Sequence, residues 1–456
     1  MSTTSAIDAG KLASLIEAEE ATFNERHHKS REMTERARRS LAGGVASSWQ
    51  ATDPHPIYVA EGHGSKVIDV DGNEYVDFHN GYGAMAVGHA HPRIVEVVSE
   101  RVRMGTHFAQ PTEQGVAVAE HLQQRFGLPL WRFGNSGTEA TLDSVRLMRA
   151  YTGRDILLKI EGSYHGHHDA LMVSVSPPGN KIGSYDDPVS VPQTLGLPAD
   201  YVNLTKVVPF NDLDALERTL ERYRGQVAGM IVEPAMMNAG FVLPVDGYLE
   251  GAKALLHAHG ALLAFDEVKT GATIAYGGAV EAFGVTPDLL CLAKSIGGGL
   301  PCGAIGGSEQ VMSWIADGKI DQVGTFNGNP LTMAAARASL EQVLTPAAYA
   351  HLDRLNDLIV GGCQAVIDRY GLPGYALGVG AKGCVTFSTA KITDYESFKA
   401  NQDAELCDLA WLWNMNRGIF MTPGREEEWT LSVQHTDADV DAFVSAFDEL
   451  AAALTA

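Results

Sequence analysis

The sequence predicts an α/β protein with a mainly parallel central sheet in a large domain and a second, smaller α/β unit. Three observations carry this reading. From about residue 91, helical stretches alternate with short apolar runs (DILLKI, LMVSV, VAGMIVEPA, GALLAFDEV, LLCLAKSI and AIGG), as in a parallel sheet covered by helices on both faces. The chain has 456 residues, 45% of them apolar, enough for a large buried core. Glycine reaches 48 residues and collects at turns between the apolar runs, where backbone needs positive φ or close approach to something bound.

Residues 8 to 41 read as a helix, with acidic residues early and arginines late, matching the helix dipole. A Gly/Pro-punctuated connector, GGVASSWQATDPHP, leads into IYVAEGHGSKVIDVDGNEYVDFHNG, whose alternation around Gly and Asp-Gly turns predicts an antiparallel meander. Residues 176–198 have no period and five prolines, which reads as a functional loop or lid. Beyond GNPLTMAAARASLEQVL a long helix opens the last hundred or so residues, where GCVTFST and EWTLSVQHT alternate with helices. The expected division is 1–90, packing with the small domain, 91–335 as the large domain, and 336–456 as the small domain built with both termini.

Lys plus Arg total 34 against 56 Asp plus Glu, a net charge of −22 that disfavours nucleic acid and anionic lipid as partners. The five cysteines form no CxxC pair, which argues against a disulfide framework or structural zinc and suits a reducing, cytoplasmic setting. The N-terminal stretch lacks a basic start and an apolar h-region, so it does not read as a signal peptide. No apolar run approaches the roughly 18 residues that span a bilayer.

Four segments carry candidate chemistry, all at strand-to-helix junctions, where open parallel sheets bind ligands. In RFGNSGTEATLDSVRLMRAYTG, small residues Ser136, Gly137 and Thr138 open a helix, a phosphate-type turn or an ordinary N-cap with Thr138 as the cap. In LLAFDEVKTG, Asp266 and Glu267 end an apolar run, either as the first solvated residues or with Asp266 paired to a bound cation. In LLCLAKSIGGGLPCGAIGG, Lys294 leaves an apolar run before three glycines, a candidate amine nucleophile or a surface lysine at a turn. In GSYHGHHD, His165, His167, His168 and Asp169 have poor metal spacing, so Tyr164 as an aromatic platform is preferred and no metal is expected. Taken in order, these are the parts that pyridoxal 5'-phosphate needs: a Schiff-base lysine, a carboxylate for the ring nitrogen, a phosphate cradle and a stacking ring.

NSGTEA, EGSYHGHHD, EPAMMNAG, FDEVKTG, PDLLCLAKSIGGGLPCGAIGG and GTFNGNPLTMAAA resemble the class III aminotransferases of fold type I, and within them the glutamate-1-semialdehyde 2,1-aminomutase branch. The resemblance implies a fold type I transferase in which Lys294 forms the Schiff base and Asp266 meets the pyridinium nitrogen. It further implies that Val268 packs behind the ring, Tyr164 lies over its other face, Ser136, Gly137 and Thr138 bind the phosphate, and Asn238 contacts the ring hydroxyl. Thr325 would reach the phosphate of a neighbouring subunit, implying a homodimer.

The chain departs from the branch where an arginine usually stands in the connector: here it reads SSWQAT, with Trp49 and Gln50, and Lys269 and Ala272-Thr273 replace the usual Met and Phe-Arg. The expectation is therefore an aminotransferase acting between an amino acid or amine with a hydrophobic or aromatic substituent and a keto acid. Trp49, Tyr82 and Met236-Met237 would supply apolar lining, and Arg425, beside Glu426, Glu427 and Glu428, would hold a substrate carboxylate or stand as a solvated loop residue. The alternatives are the aminomutase itself and a racemase of the same fold. A metal-dependent hydrolase using the histidines and a non-catalytic binding protein are readings from other classes.

Overall fold

A computed structural model describes residues 7–178, 181–185, 187–423 and 428–456. The expected N-terminal helix is two, Ala9–Arg26 and His28–Ala37. The first is capped by Asp8, whose carboxylate accepts the Lys11 N–H at 2.8 Å. The break falls at His27, whose fully buried ring meets the Phe23 carbonyl at 2.7 Å through Nδ1 and the Tyr75 hydroxyl at 2.5 Å through Nε2. That ring ties the helices to the meander behind them, which is strands β1 (Val59–His63), β2 (Lys66–Asp69) and β3 (Glu74–Asp77), paired antiparallel as expected.

The next strands are β4 (Leu130–Gly134), β5 (Ile156–Ile160), the short hairpin β6 (Gly183–Ser184) and β7 (Asp187–Pro188), and β8 (Thr205–Val208). They are followed by β9 (Val227–Val232), β10 (Leu262–Asp266), β11 (Leu289–Ala293) and β12 (Gly303–Gly307). The seven-stranded central sheet has the order β4-β12-β11-β10-β9-β5-β8, and β12 alone runs against the rest. Every residue of β5, β9, β10, β11 and β12 is buried, because helices cover both faces, and this is why they read as continuous apolar runs.

Of the predicted runs, LMVSV forms no strand. Its Leu171 and Val173 are buried, and Val173 makes one isolated bridge, to Pro192, inside the 176–198 stretch. The sheet instead ends on β4 and β8. These escape an apolar-run search because β4 alternates exposed and covered residues and β8 is four residues long.

At the C-terminal end, β13 (Tyr375–Val379), β14 (Lys382–Thr386) and β16 (Trp429–Thr430) form an antiparallel sheet, while β15 (Ile419–Phe420) joins β3 in parallel. The N-terminal meander is thus completed by a C-terminal strand. Of EWTLSVQHT, Trp429 and Thr430 pair as strand.

The reversal of β12 brings Gly303 against the turn after β4. A Cβ built on Gly303 would lie 2.3 Å from the Ser136 carbonyl oxygen and 2.9 Å from its nitrogen. Gly361, inside the helix Pro346–Tyr370, would meet nothing within 4 Å. Gly303→Ala is accordingly expected to destabilise the fold by about 1–3 kcal/mol through overpacking. Gly361→Ala is expected to stabilise it by about 0.5–1 kcal/mol, as alanine outranks glycine in a helix. Denaturant midpoints of the two variants should move in opposite directions, and equal shifts would contradict this packing.

Candidate active site

The carboxyl ends of β4, β5, β9, β10 and β11 open onto a cavity of about 500 Å³. Its lining includes Trp49, Tyr82, Ser136, Gly137, Thr138, Tyr164, Asn238, Asp266, Val268 and Lys294, so the structure gathers ten of the expected site residues in one place.

Lys294 is the first residue beyond β11 and takes a left-handed backbone, φ 51°. A β-less residue would adopt that geometry freely, and holding a lysine there is the kind of strain that concentrates at functional sites. The next residue anchors the turn, its Ser295 hydroxyl donating to the Gly271 carbonyl at 2.7 Å. Burial, then the nearby Lys269 and Lys382 ammoniums, bring the Lys294 amine down to about 7, against the pull of Glu428 and Asp266.

Asp266 ends β10 and is 5% exposed, and Glu267 is fully buried, so neither is a solvated residue. The two carboxylates do different work. Asp266 accepts the Val268 N–H at 3.0 Å and faces His165 Nδ1 at 2.7 Å. Glu267 turns away, accepting from the Thr270 hydroxyl at 3.0 Å and the Ala279 N–H at 2.6 Å, with its carboxyl pushed up to about 7 by burial.

The small-residue turn caps the helix Gly137–Thr152, but the cap is Ser136 rather than Thr138: the Ser136 hydroxyl accepts the Glu139 N–H at 3.2 Å. Thr138 instead faces His167 Nδ1 at 3.3 Å. Gly137 is required by contact, since a Cβ there would sit 2.8 Å from a Val268 methyl. Glu233, just past β9, organises the opposite wall by accepting the Tyr164 N–H at 2.9 Å and the Asn238 side-chain amide at 2.9 Å. Trp49 stands at the mouth, half exposed, edge-on to Tyr82 at 5.5 Å and to Tyr164 at 5.3 Å, and the Tyr82 hydroxyl donates to the Trp49 carbonyl at 2.7 Å.

One expectation about the lining is corrected. Met236 and Met237 are fully buried in the core and do not line the cavity, because the chain turns there to form a bridge with Val242. Thr325 is exposed and lies outside the lining, although Asn327 beside it accepts the Asn135 side-chain amide at 2.9 Å. Arg425, Glu426 and Glu427 lie outside the described residues. Glu428 is 3% exposed and bridges Lys269, at 2.8 Å, and Lys382. Burial works against its charge, yet the two ammoniums hold its carboxyl at about 2. Lys269 also donates to the Met237 carbonyl at 2.5 Å, and Lys382 to the Thr430 hydroxyl at 2.9 Å. His165, Glu233 and this ionic triad were missed in the sequence as site residues. The signals for them were the oddity of Lys269 and a histidine run after β5 that fails metal spacing.

These groups fit pyridoxal 5'-phosphate. A phosphate matches the N-terminus of a long helix whose glycine leaves no room for a side chain, a ring nitrogen matches the buried Asp266 carboxylate, and an aldehyde matches the buried Lys294 amine.

Comparison with known proteins agrees. The family described as aminotransferase class-III matches residues 48–405. The chain is 36% identical over 423 residues to glutamate-1-semialdehyde 2,1-aminomutase 2 of Brevibacillus brevis, covering 92% of this chain and 97% of that one. Among solved structures, an omega-transaminase from Sphaerobacter thermophilus superposes with TM-score 0.87 at 37% identity, covering 93% of this chain and 97% of the other. A glutamate-1-semialdehyde aminomutase from Pseudomonas aeruginosa, also solved in complex with PMP, gives 0.89 at 29% identity, covering 98% and 99%. Among the described residues, no helix is long and apolar enough to cross a membrane, and the five cysteines are all buried, with no disulfide among them. The chain belongs to the class III aminotransferases and is a pyridoxal-phosphate-dependent transaminase of fold type I that acts on small molecules.

Proposed function

We propose that the enzyme moves an amino group between an amino acid or amine with a hydrophobic or aromatic substituent and a keto acid, with Lys294 as its covalent attachment point for the cofactor. The observation that carries this is that Lys294 and Asp266 leave neighbouring parallel strands into one cavity whose mouth is aromatic. Bound there, pyridoxal phosphate supplies a carbonyl that takes the amino group and a protonated ring that accepts the electrons of a broken Cα–H bond.

The chain's own residues divide the remaining work. Asp266, fixed by the Val268 N–H and by His165, keeps the proton on the ring nitrogen. With the cofactor bound, Val268 and Tyr164 would pack on the ring and exclude water, Asn238 would meet its hydroxyl, and Ser136, Gly137 and Thr138 would hold the phosphate. Lys294 Nζ, half neutral near pH 7, is the base that carries the proton away from the substrate Cα. Trp49 and Tyr82 select an apolar substituent at the entrance. Thr325, exposed on this chain, supports a homodimer in which it completes the phosphate site of the other subunit.

A second reading, the aminomutase, is favoured by the relatives at 36% identity and above. The connector speaks against it, because Trp49 and Gln50 line the cavity where the branch carries an arginine. Single-turnover mixing separates the two. The holoenzyme is expected to pass to its amine form with phenylalanine or 1-phenylethylamine, read from the cofactor's absorbance, and to leave glutamate-1-semialdehyde unisomerised. Isomerisation without exchange from any hydrophobic donor would reverse the assignment.

Asp266→Asn preserves the shape of the strand end but removes the charge. Turnover should fall by about ten- to a hundredfold, equivalent to roughly 1.5–3 kcal/mol for a charged hydrogen bond. The isotope effect on the Cα–H bond should rise, because proton removal becomes the slow step. Wild-type turnover in this variant would exclude Asp266 from the ring nitrogen.

A further inference from the structure

We propose that Lys269, held in place by Glu428 and Lys382, is the cation that binds the substrate's α-carboxylate, an inference that rests on the aminotransferase reading above. Whatever the amino donor, a transaminase that uses a keto acid must seat a carboxylate in one of its half-reactions. A carboxylate taken out of water needs a charged partner. Among the described residues lining the cavity, the lysines and arginines are Lys269 and Lys294. Lys294 is committed to the cofactor and the proton, so Lys269 is left.

The surroundings of Lys269 suit the task. Its ammonium is located by the Glu428 carboxylate at 2.8 Å and the Met237 carbonyl at 2.5 Å, with 11% of the side chain exposed. Glu428 is shared with the fully buried Lys382, so the three side chains together carry one net positive charge. An arriving carboxylate would balance it. Glu428 and Lys382 act as positioning residues, fixing where Lys269 presents its charge. Placement decides which acids fit. Lys269 is three residues past Asp266 and lines the same cavity as Lys294. A carboxylate on Lys269 therefore lies beside the reacting amine, as in an α-amino or α-keto acid, rather than at the far end of a long chain.

The test uses holoenzyme and two unreactive probes of one shape, 3-phenylpropanoate and its neutral amide, 3-phenylpropanamide, titrated by calorimetry. Wild type should prefer the acid by about ten- to a hundredfold, the worth of a charge-assisted contact. Lys269→Met should reduce the ratio of the two affinities to near one, and Lys269→Arg should restore part of it. Lys269→Gln gives the same reading if the methionine variant does not fold. The ratio is the informative quantity, since any loss of pocket shape in the variant weakens both probes alike, and rescue by Lys269→Arg returns the charge to the same place. A purely structural triad would lower the melting point and leave the ratio alone. Wild type without preference, or a methionine variant with the wild-type ratio, would overturn the assignment. Failure of every amino donor to exchange would instead count against the transaminase reading, which these affinities do not touch.

Discussion

The whole site depends on burying the Lys294 amine next to other lysines. An ammonium taken out of water loses several kcal/mol of hydration, so burial alone favours the neutral form. Lys269 and Lys382 add repulsion, and Glu428 keeps those two charged by pairing with both. Without that carboxylate, three neighbouring lysines, Lys382 of them fully buried, would compete to lose their protons. With it, the loss falls on the lysine that needs a free lone pair.

The fold supplies the placement. β10 and β11 run parallel with Asp266 opposite Cys291, so the carboxylate and the lysine leave the same edge of the sheet. The reversed β12 returns beside them and presses Gly303 on the Ser136 turn, fixing the start of the helix Gly137–Thr152. The triad belongs to other elements: Lys382 opens β14 and Glu428 precedes β16. Those strands are tied to the meander by Asn80, whose side-chain amide donates to the Asp77 carbonyl at 2.8 Å and the Thr430 carbonyl at 2.6 Å. Tyr82 and Trp49 reach the mouth from the same N-terminal stretch. Residues from both ends of the chain therefore set the electrostatics of a site whose framework is the central sheet.

This division explains what the sequence could show. Asp266 ends one apolar strand and Lys294 and Tyr164 follow two others, and such strand ends can be found from apolar runs, whereas the Ser136–Thr138 turn follows β4 and shows only through its own small residues. His165 was visible, but its pairing with Asp266 spans 101 residues, and that of Lys269 with Glu428 spans 159. No local pattern encodes contacts at such separations. Nothing local singles out Glu428, the last of three consecutive glutamates, whereas the strand it precedes carries it into the core. β4 escapes such a search because this edge strand is only partly covered, and β8 because it is four residues long.

The most direct measurement of this account is pH-dependent trapping of the cofactor. Apoenzyme is given pyridoxal phosphate at a series of pH values, reduced with borohydride after a short interval, and mapped by peptide mass. The label should fall on Lys294, with the trapping rate half-maximal near pH 7 and rising about fivefold from pH 6 to pH 7 as the neutral amine fraction grows. Label on Lys269 or Lys382, or a midpoint near the 10.5 of an ordinary lysine, would contradict the claim that burial among lysines sets up the reactive amine.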